Sequence, residues 1–211
     1  MPEPPENLAG LQITVVELKG PFFRTHGFKR SPFSVGNPAG NRFDAPDGSY
    51  EVLYVARDQF CAFIETFMHV PGTRTLTTSA LRTKALSTLT SPRHLRLIDL
   101  AEPGALVRAG VDARLFSAEY ASSQLWSKAF HDHPAKVDGL LYPSRLDPSR
   151  QAVALFLDRI PRLVELDRQI WYAPGPQRAL LVEIAEHYKI ELIENEFVAS
   201  RKPAIREDAL F

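Results

Sequence analysis

The stretch Arg42–Phe67, RFDAPDGSYEVLYVARDQFCAFIETF, decides how the chain reads. It opens in a Pro- and Asp-rich segment, enters an apolar strand at 50–56 (YEVLYVA), and turns sharply into a helix. Asp58 stands where a short carboxylate accepts a free backbone N–H, so the helix is expected to start at Gln59. It should run to about His69, where Val70-Pro71-Gly72 stops it. From Gln59 to Met68 the one charged side chain is Glu65, set among Phe60, Cys61, Phe63, Ile64 and Phe67. A carboxylate in such company must be paired, hydrogen-bonded or protonated, because an isolated buried charge is costly. Either Glu65 is structural, in an ion pair with Arg24, Arg30 or Arg42 from the preceding segment or on a solvated helix edge, or it is a functional carboxylate.

Working outward, LQITVVEL (11–18) is β-branched and reads as a strand, and residues 29–50, crowded with Pro, Gly, Asn and Asp, read as a long irregular loop. Loops of that length in compact domains are commonly functional, and this one carries aromatic and basic groups. Residues 73–91 are expected to be a partly helical insertion. Strands are expected at 95–100, 137–144 and 151–157, with an edge strand around 162–169. Helices are expected around 103–109, at 117–133 with Leu125, Trp126, Ala129 and Phe130 toward the core, and at 175–190. Strands and helices mix without strict alternation, so the class is α+β. One domain spans 1–211, with a core at about 11–193 and loose tails at 1–10 and 200–211.

Twenty-five basic residues balance twenty-five acidic ones, so no global field draws the chain to nucleic acid or an anionic membrane. Its one cysteine, Cys61, cannot form an intramolecular disulfide, which suits a reducing cytoplasm, and it reads as a buried hydrophobe. The start, MPEPPENLAG, is unlike a signal peptide, and no apolar run is long enough to span a bilayer. Dinucleotide, nucleoside-triphosphate and nucleophile-elbow glycine signatures are absent. His131 and His133 point apart on a helix, and no third ligand follows at a useful spacing, so no metal is expected. The segment DGLLYPSRL (138–146) is a second signal, since its strand delivers Tyr142, Ser144 and Arg145 at its end.

Taken together, these segments resemble the RES domain family. The resemblance rests on FFRTH (22–26), Arg42-Phe43, Pro46, Val52-Leu53-Tyr54, Ala56, Ala62, Glu65, Asp138-Gly139, Tyr142-Pro143-Ser144 and VALF (153–156). It implies a fold similar to the ADP-ribosyltransferase toxins, a split β core with flanking helices. It implies a toxin paired with an Xre-type antitoxin and acting on NAD+ as substrate, without a metal, in the cytoplasm. The reaction would be cleavage of the nicotinamide–ribose bond by hydrolysis or phosphorolysis; transfer of ADP-ribose to a protein and an inactive antitoxin-binding module are the alternatives. Carried over by position, Glu65, Arg42 and Ser144 are the expected catalytic residues. Arg24, Arg42, Tyr54, Phe43, Tyr142 and Ser144 are expected to hold NAD+, with Tyr54 and Phe43 stacking on a flat ring. No direct contact with nucleic acid or membrane is implied, and self-association into a homo-oligomer stays open.

Overall fold

The computed structural model describes residues 1–37, 39–70 and 72–195, so the tail expected at 200–211 lies outside them. Strands and helices follow in the order β1 Val15–Leu18, β2 Phe22–Gly27, β3 Val52–Ala56, α1 Gln59–Phe67, β4 Thr75–Thr77, α2 Thr78–Arg82 and β5 Lys84–Thr90. Then come β6 Leu95–Asp99, α3 Ala105–Ala109, α4 Tyr120–Asp132, β7 Gly139–Pro143, β8 Gln151–Phe156, β9 Val164–Ile170, α5 Pro176–Tyr188 and β10 Glu191–Ile193. Eight strands form one sheet in the order β1-β6-β7-β8-β3-β2-β5-β9, while β10 pairs with β4. Within the large sheet β6 and β7 run parallel and the other neighbours antiparallel. The α+β class therefore stands.

Alternation along β3 and β8 divides the core. Leu53, Val55, Val153 and Leu155 pack with Phe22, Leu97 and Leu141 on one face. On the other, Val52, Ala154 and Phe156 meet Trp126 and Phe130 of α4. Further along that face Ala56 and Ala152 meet Phe63 and Ile64 of α1 and Leu181 and Ile184 of α5. Each such buried Val, Leu, Ile or Phe side chain stabilises the fold by about 1.5–3 kcal/mol. Tyr142 packs against both helical groups, at the seam where they part.

Three expectations are corrected. Residues 73–91 are partly helical, as expected, but are no insertion: they hold β4, a five-residue helix and β5, a full strand between β2 and β9. Their Thr content suits a pleated strand as well as a loop. The expected loose tail at 1–10 is anchored at its start: Trp126 Nε1 donates to the carbonyl of Pro2 at 2.8 Å, and Met1 packs on the core. Leu125 is 44% exposed, while the polar Ser123, Gln124 and Ser127 of α4 are buried. Their role is to hold the long loop. Gln124 Nε2 donates to Ala39 O at 3.0 Å and Asn41 O at 2.9 Å, and Ser127 Oγ donates to Phe43 O at 2.7 Å.

The Asp138-Gly139 pair is structural. Asp138 accepts two bonds from Arg93, at 2.7 and 2.8 Å, and one from Arg96 N at 2.8 Å. A Cβ on Gly139 would lie 2.2 Å from Ala154 O on β8. His131 stacks on Tyr50 with centroids 4.0 Å apart, and His133 Nδ1 accepts from Ala135 N at 3.1 Å. Among the described residues no group of three His, Cys, Asp or Glu side chains is placed to hold a metal, and no helix is long and apolar enough to cross a membrane.

Candidate active site

A cleft of about 350 Å3 opens at the seam, lined by residues of β2, β3, β7, α1 and the long loop. Arg24, Arg42, Tyr54, Glu65 and Tyr142 all line it. The α1 helix that carries Glu65 is fixed at its start by Asp58, whose carboxylate accepts from Cys61 N at 2.9 Å. Glu65 sits in the last turn and is half-buried. Its partner is not an arginine: no ion pair among the described residues includes it. Instead Ser144 Oγ donates to Glu65 Oε1 at 2.5 Å.

Ser144 is 1% exposed. Its oxygen accepts from Leu146 N at 3.1 Å and Asp147 N at 3.3 Å in the turn after β7. With its lone pairs so occupied, the hydroxyl has its proton free for Glu65. Ser144 thus stands behind the carboxylate and does not line the cleft. Burial, reinforced by the Glu65 charge, drives both the Tyr142 phenol and the Cys61 thiol well above their usual pKa values. Cys61 is thereby a protonated, fully buried thiol and no nucleophile.

The arginines are anchored by carbonyls. Arg42 Nη1 donates to Ala118 O at 2.6 Å and Ser123 Oγ at 3.2 Å, and its guanidinium lies 5.0 Å over the Tyr120 ring. Arg24 donates to Pro32 O and, at 2.5 Å, to Ser34 O. Burial lowers both pKa values, that of Arg24 to about 10, which leaves it cationic at neutral pH. Tyr54 OH donates to Asp44 Oδ1 at 2.9 Å and accepts from Phe43 N at 2.8 Å, fixing the backbone next to Arg42. Burial raises its phenol far above the usual value, so it stays neutral.

Phe43 is not a stacking surface for a ligand. It is fully buried and packs edge-on against Tyr142 at 4.8 Å, supporting the cleft floor from below. Residues that sequence reasoning did not place also line the cleft: Asn41, His69, Phe116 and Tyr120. Phe116 and Tyr120 arrive from the segment between β6 and β7, with no local signature tying them to Arg42. Asn41 carried a fainter signal, since Asn and Asp flanking an arginine in a turn commonly fix its backbone, as Asn41 and Asp44 do here at 2.8 Å.

Two cationic forks, flat aromatic walls and one aligned carboxylate suit a ligand that is anionic, bears an aromatic ring and offers hydroxyls. The fold is similar to that of a chain in the crystal structure of the M. tuberculosis MbcT–MbcA toxin–antitoxin complex. The TM-score is 0.56 at 17% identity, covering 82% of this chain and 92% of that one. No curated protein matches the sequence. The RES domain profile matches residues 21–182, which hold every cleft residue named above. The chain therefore belongs to the RES domain family.

Proposed function

We propose that this chain is an NAD+-consuming, toxin-like enzyme that breaks the nicotinamide–ribose bond, with water or phosphate as acceptor. The observation that carries the reading is the Glu65 carboxylate, aligned by Ser144 in a cleft that Arg24 and Arg42 also line. In NAD+ the nicotinamide leaves as a neutral base, taking the C–N electron pair, and the ribose carbon develops positive charge. Glu65 accepts a hydrogen bond from a ribose hydroxyl and stabilises that charge, more strongly in a partly desolvated site than in water. An oxygen of water or phosphate then bonds to the ribose carbon, and the acceptor's proton is released to solvent. Arg24 and Arg42 hold the pyrophosphate, and Tyr54 and Tyr142 wall the flat ring. Ser144 acts on the carboxylate and not on the ligand.

An antitoxin of the Xre type is the proposed partner. Its support is the RES assignment together with the similar chain's place in a toxin–antitoxin complex. The test is nicotinamide release from NAD+, with and without phosphate, by wild type and Glu65→Gln. Release by wild type, lowered at least about 100-fold in the variant, is expected. Dependence on phosphate selects phosphorolysis. ADP-ribose found on protein selects the transferase, and equal release by both proteins overturns the role of Glu65. No release, with tight antitoxin binding, selects an inactive module.

A further inference from the structure

Beyond the cleft lies a second cavity of about 560 Å3, separated from it by a ridge. Phe116, Pro143 and Arg145 form that ridge, and each lines both spaces. Small-molecule sites run from about 300 to 1,000 Å3, so the cleft alone is near the lower limit and short for a whole dinucleotide. The far walls of the second cavity are mostly apolar, from Leu100, Leu106, Val107 and Pro148. Polar groups interrupt them at Glu102, Ser117 and, next to Pro143, Ser144, and Arg108 pairs with the Glu102 carboxylate. Flat apolar faces with a polar edge match such walls, and an exocyclic amine is the donor a carboxylate acceptor calls for.

Arg145 stands at the joint. Arg24 and Arg42 spend part of their forks on backbone carbonyls, at 2.5 Å to Ser34 O and 2.6 Å to Ala118 O, and keep the remaining N–H groups for the pyrophosphate. Arg145 is exposed, and its hydrogen bond is a long one, from Nη2 to His69 O at 3.4 Å. Its fork is therefore available to bridging phosphate oxygens at little cost in existing bonds.

We propose that the second cavity is the adenosine subsite, and that Arg145 grips the pyrophosphate as the dinucleotide bends over the Phe116–Pro143 ridge. The inference rests on the NAD+ reading above and adds to it where the non-reacting half lies. Binding energy collected there, away from the reacting carbon, positions the ribose against Glu65.

The test uses ADP and nicotinamide mononucleotide as separate probes, titrated calorimetrically into wild type, Val107→Trp and Arg145→Ala. Val107 lines the second cavity and is 82% exposed, so an indole there adds bulk at the cavity rim without touching the core, and circular dichroism checks folding. ADP should bind wild type and weaken at least about tenfold in both variants. Nicotinamide mononucleotide should bind wild type and Val107→Trp alike. ADP affinity indifferent to Val107→Trp, or no ADP binding by wild type, overturns the subsite. Nicotinamide release is followed in the same preparations. Val107-sensitive ADP binding without release would sink the catalytic reading alone. Release with Val107-indifferent ADP binding would sink the subsite alone.

Discussion

The hydroxyl of Ser144 donates to Glu65 Oε1 across 2.5 Å, joining the end of β7 to the last turn of α1. The two residues are far apart in sequence, and the bond fixes which way one carboxylate faces. If Ser144 is a positioning residue, Ser144→Ala should lower kcat for nicotinamide release on the order of 100-fold, with KM within about twofold. Ser144→Thr, which keeps the hydroxyl, should recover most of the rate. Combined with Glu65→Gln, Ser144→Ala should add almost nothing, because both changes remove one unit. A lower melting temperature with kcat intact would reduce Ser144 to a structural role.

Gly139→Ala should be among the most damaging single-methyl changes in the chain. The added Cβ would meet the Ala154 carbonyl at 2.2 Å and Leu155 Cα at 3.1 Å, both backbone atoms of the paired strand. β7 lies between β6 and β8 and cannot shift away without breaking one ladder. A loss of about 3 kcal/mol or more is expected, measured by urea unfolding. A loss under about 1 kcal/mol would mean that β7 sits further from β8 than described.

The strand-turn-helix unit at 50–67 was legible because each level agreed: an apolar run, a capping aspartate and helical spacing. Glu65 stood out by contrast with its neighbours. Its partner did not, because Ser144 reaches it through a long-range strand placement that no local pattern encodes. Arginine was one candidate partner since charge seeks charge, yet a hydroxyl with its lone pairs taken by two amides orients a half-buried carboxylate without a second buried ion. The polar face of α4 misled for a related reason. Ser123, Gln124 and Ser127 look like a solvated side, but they are buried because the loop at 39–43 brings carbonyls and an arginine that need donors and acceptors. Residues 73–91 lacked a clean period, and their strand is set by the neighbours β2 and β9.

Stability should fall on mild acidification through His26. This imidazole is 7% exposed, its Nε2 lies 2.7 Å from Ser87 Oγ, and Ser87 Oγ donates to Glu165 Oε1 at 2.6 Å. Burial holds its pKa below the ordinary 6.5; Arg168 and Arg24 lower it further, while the Gly27 carbonyl and Glu165 oppose them. The unfolded chain therefore takes up the proton first as pH falls. Its contribution is whole above pH 6.5 and declines below that value, toward the folded pKa. Melting temperatures taken from about pH 5 to 8 should show the decline in wild type and a flatter profile in His26→Gln. Equal slopes would assign the acid sensitivity to other groups.

Tyr54→Phe should act on ligand binding through Arg42. The phenol both accepts from Phe43 N and donates to Asp44 Oδ1, so it pins the residues that follow Arg42. Phenylalanine keeps the ring that lines the cleft and removes this tie, at a cost of about 1–3 kcal/mol in stability. Arg42 retains Ala118 O and Ser123 Oγ from the segment across the cleft, but its own backbone is less constrained. KM for NAD+ should rise several-fold with kcat less affected. Arg42→Lys should raise KM further, since an ammonium cannot offer a planar fork to pyrophosphate. If Tyr54 works through Arg42, the double variant should bind no worse than Arg42→Lys alone. Independent, multiplying losses would instead place the phenol in direct contact with the ligand.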